Sequence, residues 1–349
     1  MFPAVLWSAV LLASPPSLTP PTVPDSEPRA NVRLDAKAHQ VLVTAGPFTV
    51  PSMPPGMKHE DMEKMDDHNS PVYRFEWPVE GWFRGFAVEL VDGKGQPVER
   101  RVVHHMIVIN FDRRQLLYSS YERTFGIGQE TADLALPKSI GVPMKPGTHM
   151  GLYLSWANET GKDLEGVELR LKLTYSPANL NPRPLSVMPI YMDVNLRVGS
   201  GNGFTIPTGR SEKSWEFSPV VNGRLLGVGG HLHDYGVGVR LEDAATGKVL
   251  TQLASVRTPD GKIKSMGRKL FGVSGEGLLL KAGRKYRIVG IYDNPTGEPI
   301  SGAMAHMVGI FAPGDYSKWP TIDLSDPTLQ DDLAFLTEMG GGSGHHHKP

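Results

Sequence analysis

Four groups of histidine and methionine residues are the parts of this sequence best suited to chemistry. They are the pair His104-His105, the sequence His231-Leu232-His233, the stretch Met304-Ala305-His306-Met307, and a segment from Met53 to His68. The chain contains no cysteine, which excludes thiolate metal sites, disulfides and cysteine nucleophiles. Any bound metal must therefore be held by His, Met, Asp or Glu side chains.

The sequence His231-Leu232-His233 is typical of a metal site on one strand face. Residues i and i+2 of a strand project from the same face, so both imidazoles can reach one ion. The neighbouring Gly229, Gly230 and Gly236 allow close backbone packing around the pair. The alternative interpretation is a hydrogen-bonded pair of surface histidines.

The pair His104-His105 lies in an apolar run, residues 102–110. Adjacent residues of a regular strand point to opposite faces, so these two rings can bind one ion only if a bulge or bend distorts the strand. The alternative is one histidine in the core and one on the surface.

Two further groups contain methionine. Met304 is a candidate ligand because a thioether prefers copper, Cu(I) especially, and a two-histidine site is predicted in the same domain. The segment 53–68 spaces its sulfur and imidazole groups with acidic residues, which indicates metal capture or, alternatively, a loop or short helix that docks its methionine face. Its weaker candidate ligands are Met53, Met57, His59, Met62, Met65 and His68.

Alternating apolar and polar residues predict short strands throughout the chain. The clearest are residues 86–91, 102–110, 150–156, 167–175, 237–241 and 286–292. We therefore predict an all-β fold of two tandem jelly-roll-like antiparallel β-sandwich domains. A proline-rich stretch, residues 176–189, predicts the linker between domains at residues 31–178 and 186–320. Residues 321–349 are predicted to hold a short helix, capped by Asp326 and begun by Pro327, and a tail with three histidines.

Composition and the chain ends narrow the function classes. With 36 Lys and Arg against 37 Asp and Glu, the chain lacks the basic excess of a nucleic-acid binder, so no nucleic-acid partner is expected. The apolar run Ala4 to Ala13 and the proline-rich tether after it predict an export signal within residues 1–30. A periplasmic or secreted protein without a membrane span in its mature form is expected; the alternative is an apolar tail on a cytosolic protein.

Taken in order, these motifs resemble the type II copper, ascorbate-dependent monooxygenases, the family of peptidylglycine α-hydroxylating and dopamine β-monooxygenases. The likeness covers about residues 75–311 and is strongest at VVHHMIVIN, GGHLHDYG and GAMAHMVGIF. The resemblance implies up to two coppers per chain, one in each sandwich. It also implies O2, a small organic substrate, and ascorbate or another one-electron reductant.

Residue by residue, the resemblance implies that His104 and His105 hold an electron-transfer copper. It implies that His231, His233 and Met304 form the catalytic, oxygen-activating copper site. The family's third first-domain histidine falls at about Ala157 here, and His149, eight residues earlier, is its candidate substitute. Gly229 stands where peptide-hydroxylating members carry an arginine that binds the substrate carboxylate, so a glycine-extended peptide is not the expected substrate.

Three functions are compatible with these patterns. The favoured one is a copper monooxygenase that hydroxylates a C–H bond of a small organic molecule. The second is a non-catalytic periplasmic protein for copper binding or delivery, which the segment 53–68 favours. The third is a structural or carbohydrate-binding β-sandwich.

Overall fold

The computed structural model describes residues 27–54, 57, 68–272 and 276–338. Strands dominate these residues and a single α-helix is found among them, which confirms the predicted all-β fold with a short C-terminal helix. The predicted export signal at Ala4 to Ala13 and the histidines His345 to His347 lie outside the described residues.

The first sandwich consists of two packed sheets. Its strands are β1 (Asn31–Asp35), β2 (Gln40–Val50), β3 (Tyr73–Trp77), β4 (Gly81–Val91), β5 (Val103–Arg114), β6 (Tyr121–Gly128), β7 (Leu134–Ala135), β8 (Ile140–Met144), β9 (Thr148–Trp156), β10 (Leu164–Pro177) and β11 (Leu185–Ser186). The larger sheet has the order β1-β2-β10-β4-β8-β11, with β7 beside β4, and the smaller has the order β3-β9-β5-β6.

The alternation in β10 shows why this sequence forms a sandwich. Val167, Leu169 and Leu171 are buried at every second position, facing the core. From the opposite sheet, Val108 and Leu152 enter the same apolar cluster. Burying each such side chain contributes about 1.5–3 kcal/mol, so the period of two holds the strand in register.

The second sandwich repeats this architecture. Its strands are β12 (Met188–Asp193), β13 (Phe204–Ile206), β14 (Gly209–Phe217), β15 (Gly223–Leu232), β16 (Gly236–Asp243), β17 (Val249–Arg257), β18 (Ile263–Met266), β19 (Arg268–Leu270), β20 (Leu278–Leu280), β21 (Tyr286–Asn294), β22 (Ile300–Ala303) and β23 (Ala305–Pro313). One sheet has the order β12-β23-β15-β19, with β20 on β15; the other has the order β14-β21-β16-β17-β18. Strands β13 and β22 pair with each other.

The predicted linker, residues 176–189, is partly built into the sheets. The N–H of Leu185 donates to the carbonyl of Ser139 at 2.7 Å, and β11 pairs in parallel with β8. This pairing is not evident from the sequence, because a strand of two residues is too short to show an alternating pattern. Strand β12 follows at once and packs beside β6 and β8, so the sandwiches are docked closely.

The helix α1 (Pro327–Glu338) returns to the first sandwich. Asp326 Oδ1 accepts the N–H of Thr328 at 2.9 Å, which confirms the predicted cap. Leu329 and Leu336 are buried against a sheet face of the first sandwich, formed by Val72, Ile109, Phe111, Tyr121 and Tyr153. At 12 residues α1 is too short to cross a bilayer, and the described residues contain no helix that could.

Candidate metal centre between the two sandwiches

A bulge in β5 brings both adjacent histidines to one side of the strand. Val103 pairs with Trp156 and His105 pairs with Ser155, so His104 is an extra residue with no partner position on β9. The ring centroids of His104 and His105 consequently lie 3.8 Å apart. The distortion that the sequence requires for a shared site is therefore present.

Each histidine of the second motif is anchored through its Nδ1 atom. His231 Nδ1 lies 2.6 Å from Oε1 of Glu130, and His233 Nδ1 lies 2.7 Å from the carbonyl oxygen of Gly302. Anchoring of Nδ1 by a carboxylate or carbonyl is typical of metal-binding histidines, since it fixes the ring with Nε2 turned toward the ion.

The two motifs meet at His105. Its Nε2 atom lies 3.1 Å from Nε2 of His231 and 3.2 Å from Nε2 of His233. Ligand atoms of His104, His105 and His233 also lie within 4.8 Å of one another. Imidazole nitrogens bound to one ion at about 2.0–2.1 Å are about 3.0–3.4 Å apart, depending on the coordination angle. The two Nε2 separations from His105 match those of pairs of ligands that share an ion.

The hydrogen bonds at Nδ1 determine which nitrogen of each ring carries the proton. A carbonyl oxygen only accepts, so His233 donates from Nδ1 and its neutral ring has a lone pair on Nε2. His231 faces a carboxylate in the same way. Nε2 of His231 and Nε2 of His233 both face Nε2 of His105, so these ring nitrogens are placed where they can bind a cation.

Two further histidines flank this group. The ring of His306 lies 4.7 Å from that of His231, and the ring of His68 lies 5.6 Å from that of His104. The first sandwich thus contributes His68 and the adjacent pair, and the second contributes three rings from β15, the residue after it and β23. We call these six residues the histidine cluster: His68, His104, His105, His231, His233 and His306.

The charges around the cluster favour a neutral His306 and an ionised Glu130. Burial raises the pKa of the Glu130 carboxyl, but the facing His231 charge and hydrogen bonds from His231 and Thr131 outweigh it, so that pKa lies below its usual value. Burial, together with the charge of His231, lowers the pKa of His306 well below its usual range. A neutral imidazole keeps a lone pair for metal binding.

Gly128 allows the sandwiches to approach closely enough for these contacts. It pairs with His105 across β5 and β6. A Cβ at this position would lie 2.8 Å from both Cε1 and Nδ1 of His231, closer than real Cβ contacts. The absence of a side chain at Gly128 is therefore a requirement of the observed His231 position.

We expect Gly128→Ala to weaken metal binding by about 10–100-fold, because the added methyl group displaces His231 from its anchor. Isothermal titration of the protein with a divalent transition metal measures the change. Gly93→Ala is the control, since a Cβ there would meet its nearest neighbour at 3.4 Å, an ordinary contact distance. Equal affinities of the two variants would contradict this account of Gly128.

The methionine candidates are placed differently from one another. Met304 directly precedes β23, and its carbonyl accepts the N–H of His233 at 3.2 Å, which places the two residues side by side. The Met53 N–H donates to the carbonyl of Asn158 at 2.8 Å, and the Met57 N–H donates to the carbonyl of Pro54 at 3.0 Å. The remaining candidates of that segment, His59, Met62 and Met65, lie outside the described residues.

The structure does not bring His149 to the cluster. His149 is the second residue of β9. It lies six residues before the partner of His105, which is about 20 Å along the strand. Its Nδ1 lies 3.0 Å from Oδ1 of Asp112 instead. The nearby Ala157 has no ligating atom, and His68 is the third imidazole beside the first pair.

The arrangement also differs from the one that the resemblance implies. Instead of one separate site in each sandwich, the His104-His105 pair and the second-domain histidines form one cluster at the domain interface. His306 and Glu130 also belong to this site, and neither was predicted as a ligand or an anchor. His306 pairs with His231 across β15 and β23, and its spacing of two residues from Met304 is the sequence signal that could have identified it. A lone turn glutamate gives no such signal.

Comparisons with known proteins leave the family open. No protein-family model and no curated protein matches the chain. Among solved structures, the chain is similar to the major capsid protein P2 of bacteriophage PM2, with 10% identity, a TM-score of 0.35, and 78% of this chain and 99% of that chain covered. PNGase F, a glycosylasparaginase from Flavobacterium meningosepticum, shows 8% identity and a TM-score of 0.38 over 78% of this chain and 96% of its own. These likenesses assign neither a family nor an activity.

Proposed function

We propose that this protein is a copper-dependent monooxygenase that hydroxylates a C–H bond of a small organic substrate with O2 and an external one-electron reductant such as ascorbate. The observation that carries the proposal is the approach of the Nε2 atoms of His231 and His233 to within 3.1 and 3.2 Å of Nε2 of His105. Three imidazole nitrogens at these separations support a transition-metal centre.

The donor set favours copper among the transition metals. Imidazole suits copper, zinc, iron and nickel, and copper binds most tightly of the divalent ions in this series. The backbone places Met304 next to His233, and the Met304 thioether is a soft donor suited to Cu(I). Two carboxylates at the cluster are already paired: Glu130 with His231, and Asp193, whose Oδ2 lies 3.8 Å from Nδ1 of His306, with Tyr191 and Asn202. The donors left for a metal are imidazole nitrogen and sulfur.

The chain's own residues hold the ligands before any metal arrives. Glu130 and the carbonyl of Gly302 fix the rings of His231 and His233, and the β5 bulge fixes His104 and His105. Pre-oriented ligands lose little freedom on binding, which strengthens metal affinity. Copper bound there supplies one-electron redox chemistry and O2 activation. His104 and His231 are 8% and 6% exposed, so these two rings are largely withdrawn from bulk water.

A copper-loading experiment tests the proposal. After loading and desalting, we expect the wild-type protein to retain copper, measured by mass spectrometry, and to consume O2 in an ascorbate-dependent way at an oxygen electrode. Without substrate, two electrons and two protons convert each O2 to hydrogen peroxide. His233→Ala and Met304→Ala are expected to lower that rate more than about tenfold, as loss of a ligand or its neighbour removes Cu(I) stabilisation.

The control is His149→Ala, because His149 lies outside the cluster and binds Asp112. This variant is expected to keep the wild-type rate and copper content. Copper retention without O2 consumption in the wild type would favour the non-catalytic copper-binding function. Failure of the wild type to retain copper would overturn both.

A further inference from the structure

We propose that Glu130 is a positioning residue that acts across the interface between the sandwiches and holds a metal ligand of the other domain. This inference rests on the proposed metal centre. Glu130 lies in the turn after β6 of the first sandwich, whereas His231 lies near the end of β15 in the second. One domain thus supplies the anchor and the other supplies the ligand.

The contact between the two residues is short and shielded from water. His231 Nδ1 and Glu130 Oε1 are 2.6 Å apart, and the side chains are 8% and 3% exposed. A buried carboxylate is costly unless it is paired, and such pairs add little net stability over apolar packing. A role in orienting the His231 imidazole therefore explains the buried Glu130 carboxylate better than a contribution to folding stability does.

The turn that carries Glu130 is held rigidly on both sides. Within the turn, the Gly128 N–H donates to Oγ1 of Thr131 at 3.0 Å, and the Thr131 N–H donates back to the carbonyl of Gly128 at 3.1 Å. Arg268, from β19 of the second sandwich, donates to the carbonyls of Ala132 and Asp133 at 2.5 and 3.0 Å.

Arg268 therefore crosses the interface in the direction opposite to Glu130. The two contacts fix the turn relative to β15. The backbone at Glu130 is therefore held in a defined position, from which its carboxylate contacts His231. Because an anchored Nδ1 also makes Nε2 a better donor, metal affinity depends on the docking of the two sandwiches.

Three variants test the role of Glu130. In Glu130→Gln the amide oxygen can still accept a hydrogen bond but the charge is lost, and we expect copper affinity to fall about tenfold in a competition titration against a chelator. Glu130→Ala is expected to lose about 100-fold. Glu216→Gln, which removes an exposed carboxylate paired with Arg287, is the control and is expected to bind copper like the wild type.

A second readout is independent of copper. Long-range 1H–15N NMR of the apoprotein is expected to show His231 protonated at Nδ1 in the wild type and a mixture of the two tautomers in Glu130→Ala. The electron paramagnetic resonance hyperfine splitting of bound Cu(II) should also change in both Glu130 variants.

Wild-type copper affinity and an unchanged Cu(II) hyperfine splitting in Glu130→Gln would overturn the inference, because that variant keeps the shape of the side chain and tests the charge alone. Should Glu130→Ala fail to fold, the Glu130→Gln measurements decide. If the wild type binds no copper, the proposed function fails, and the tautomer measurement still decides the role of Glu130.

Discussion

Replacing His105 with alanine is expected to lower copper affinity by more than about 100-fold, beyond the usual loss for a single anchoring residue. The reason is its central place: Nε2 of His105 is within 3.2 Å of the corresponding atoms of both His231 and His233. Ascorbate-dependent O2 consumption should be lost together with the metal. Copper content after desalting and a chelator competition titration measure the effect.

The same variant distinguishes one shared centre from two separate sites. If each sandwich held its own copper, His105→Ala would remove the first-domain ion and leave the ion at His231 and His233 with its original affinity. A shared centre predicts that no tight site survives. His149→Ala again serves as the control, since its imidazole binds Asp112 away from the cluster.

Asp332→Ala is expected to lower the free energy of unfolding by about 3–5 kcal/mol, the range for breaking a buried ion pair from one side. Asp332 is 1% exposed and binds both terminal nitrogens of Arg123 at 2.6 Å. It also accepts the N–H of Tyr121 at 2.9 Å. Removing the carboxylate leaves a guanidinium and a buried backbone N–H without these bonds, and it loosens α1 from the first sandwich.

Urea denaturation followed by tryptophan fluorescence measures this loss. Asp331→Ala is the matched control. Asp331 precedes Asp332 on the same helix but is exposed, so its replacement should change the free energy of unfolding by less than about 0.5 kcal/mol. If Asp332→Ala unfolded at the same urea concentration as this control, α1 would not be tied to the first sandwich through Arg123.

The strands and the late helix were predictable because they rest on local patterns. Residues 167–175 alternate strictly, and the pattern reappears as the buried side of β10. Asp326 and Pro327 mark the helix start by their own backbone chemistry, which needs no tertiary context. The identity of the metal-binding candidates was local in the same sense, since His231 and His233 share a strand face.

The assembly of the cluster was not predictable in this way. That His105 meets His231 depends on how two sandwiches dock, and docking is set by contacts between residues more than 100 positions apart, which no local pattern encodes. The roles of Glu130 and Gly128 were unpredictable for the same reason, because both residues contact His231 only when β15 lies opposite β6. His149 was predicted as the third ligand beside His104 and His105 from its residue type. It lies away from the cluster, because residue type does not show at which end of a strand a side chain is placed.

The position of α1 has a consequence for the order in which the molecule is made. Tyr121 and its helix partner Asp332 are 211 residues apart, so at about 5–20 residues per second the ribosome needs about 10–40 s to supply the helix after the strand. For that time the apolar sheet face at Phe111 and Tyr153 lacks the cover that Leu329 and Leu336 provide. The first sandwich therefore reaches its final packing only after α1 has been synthesised.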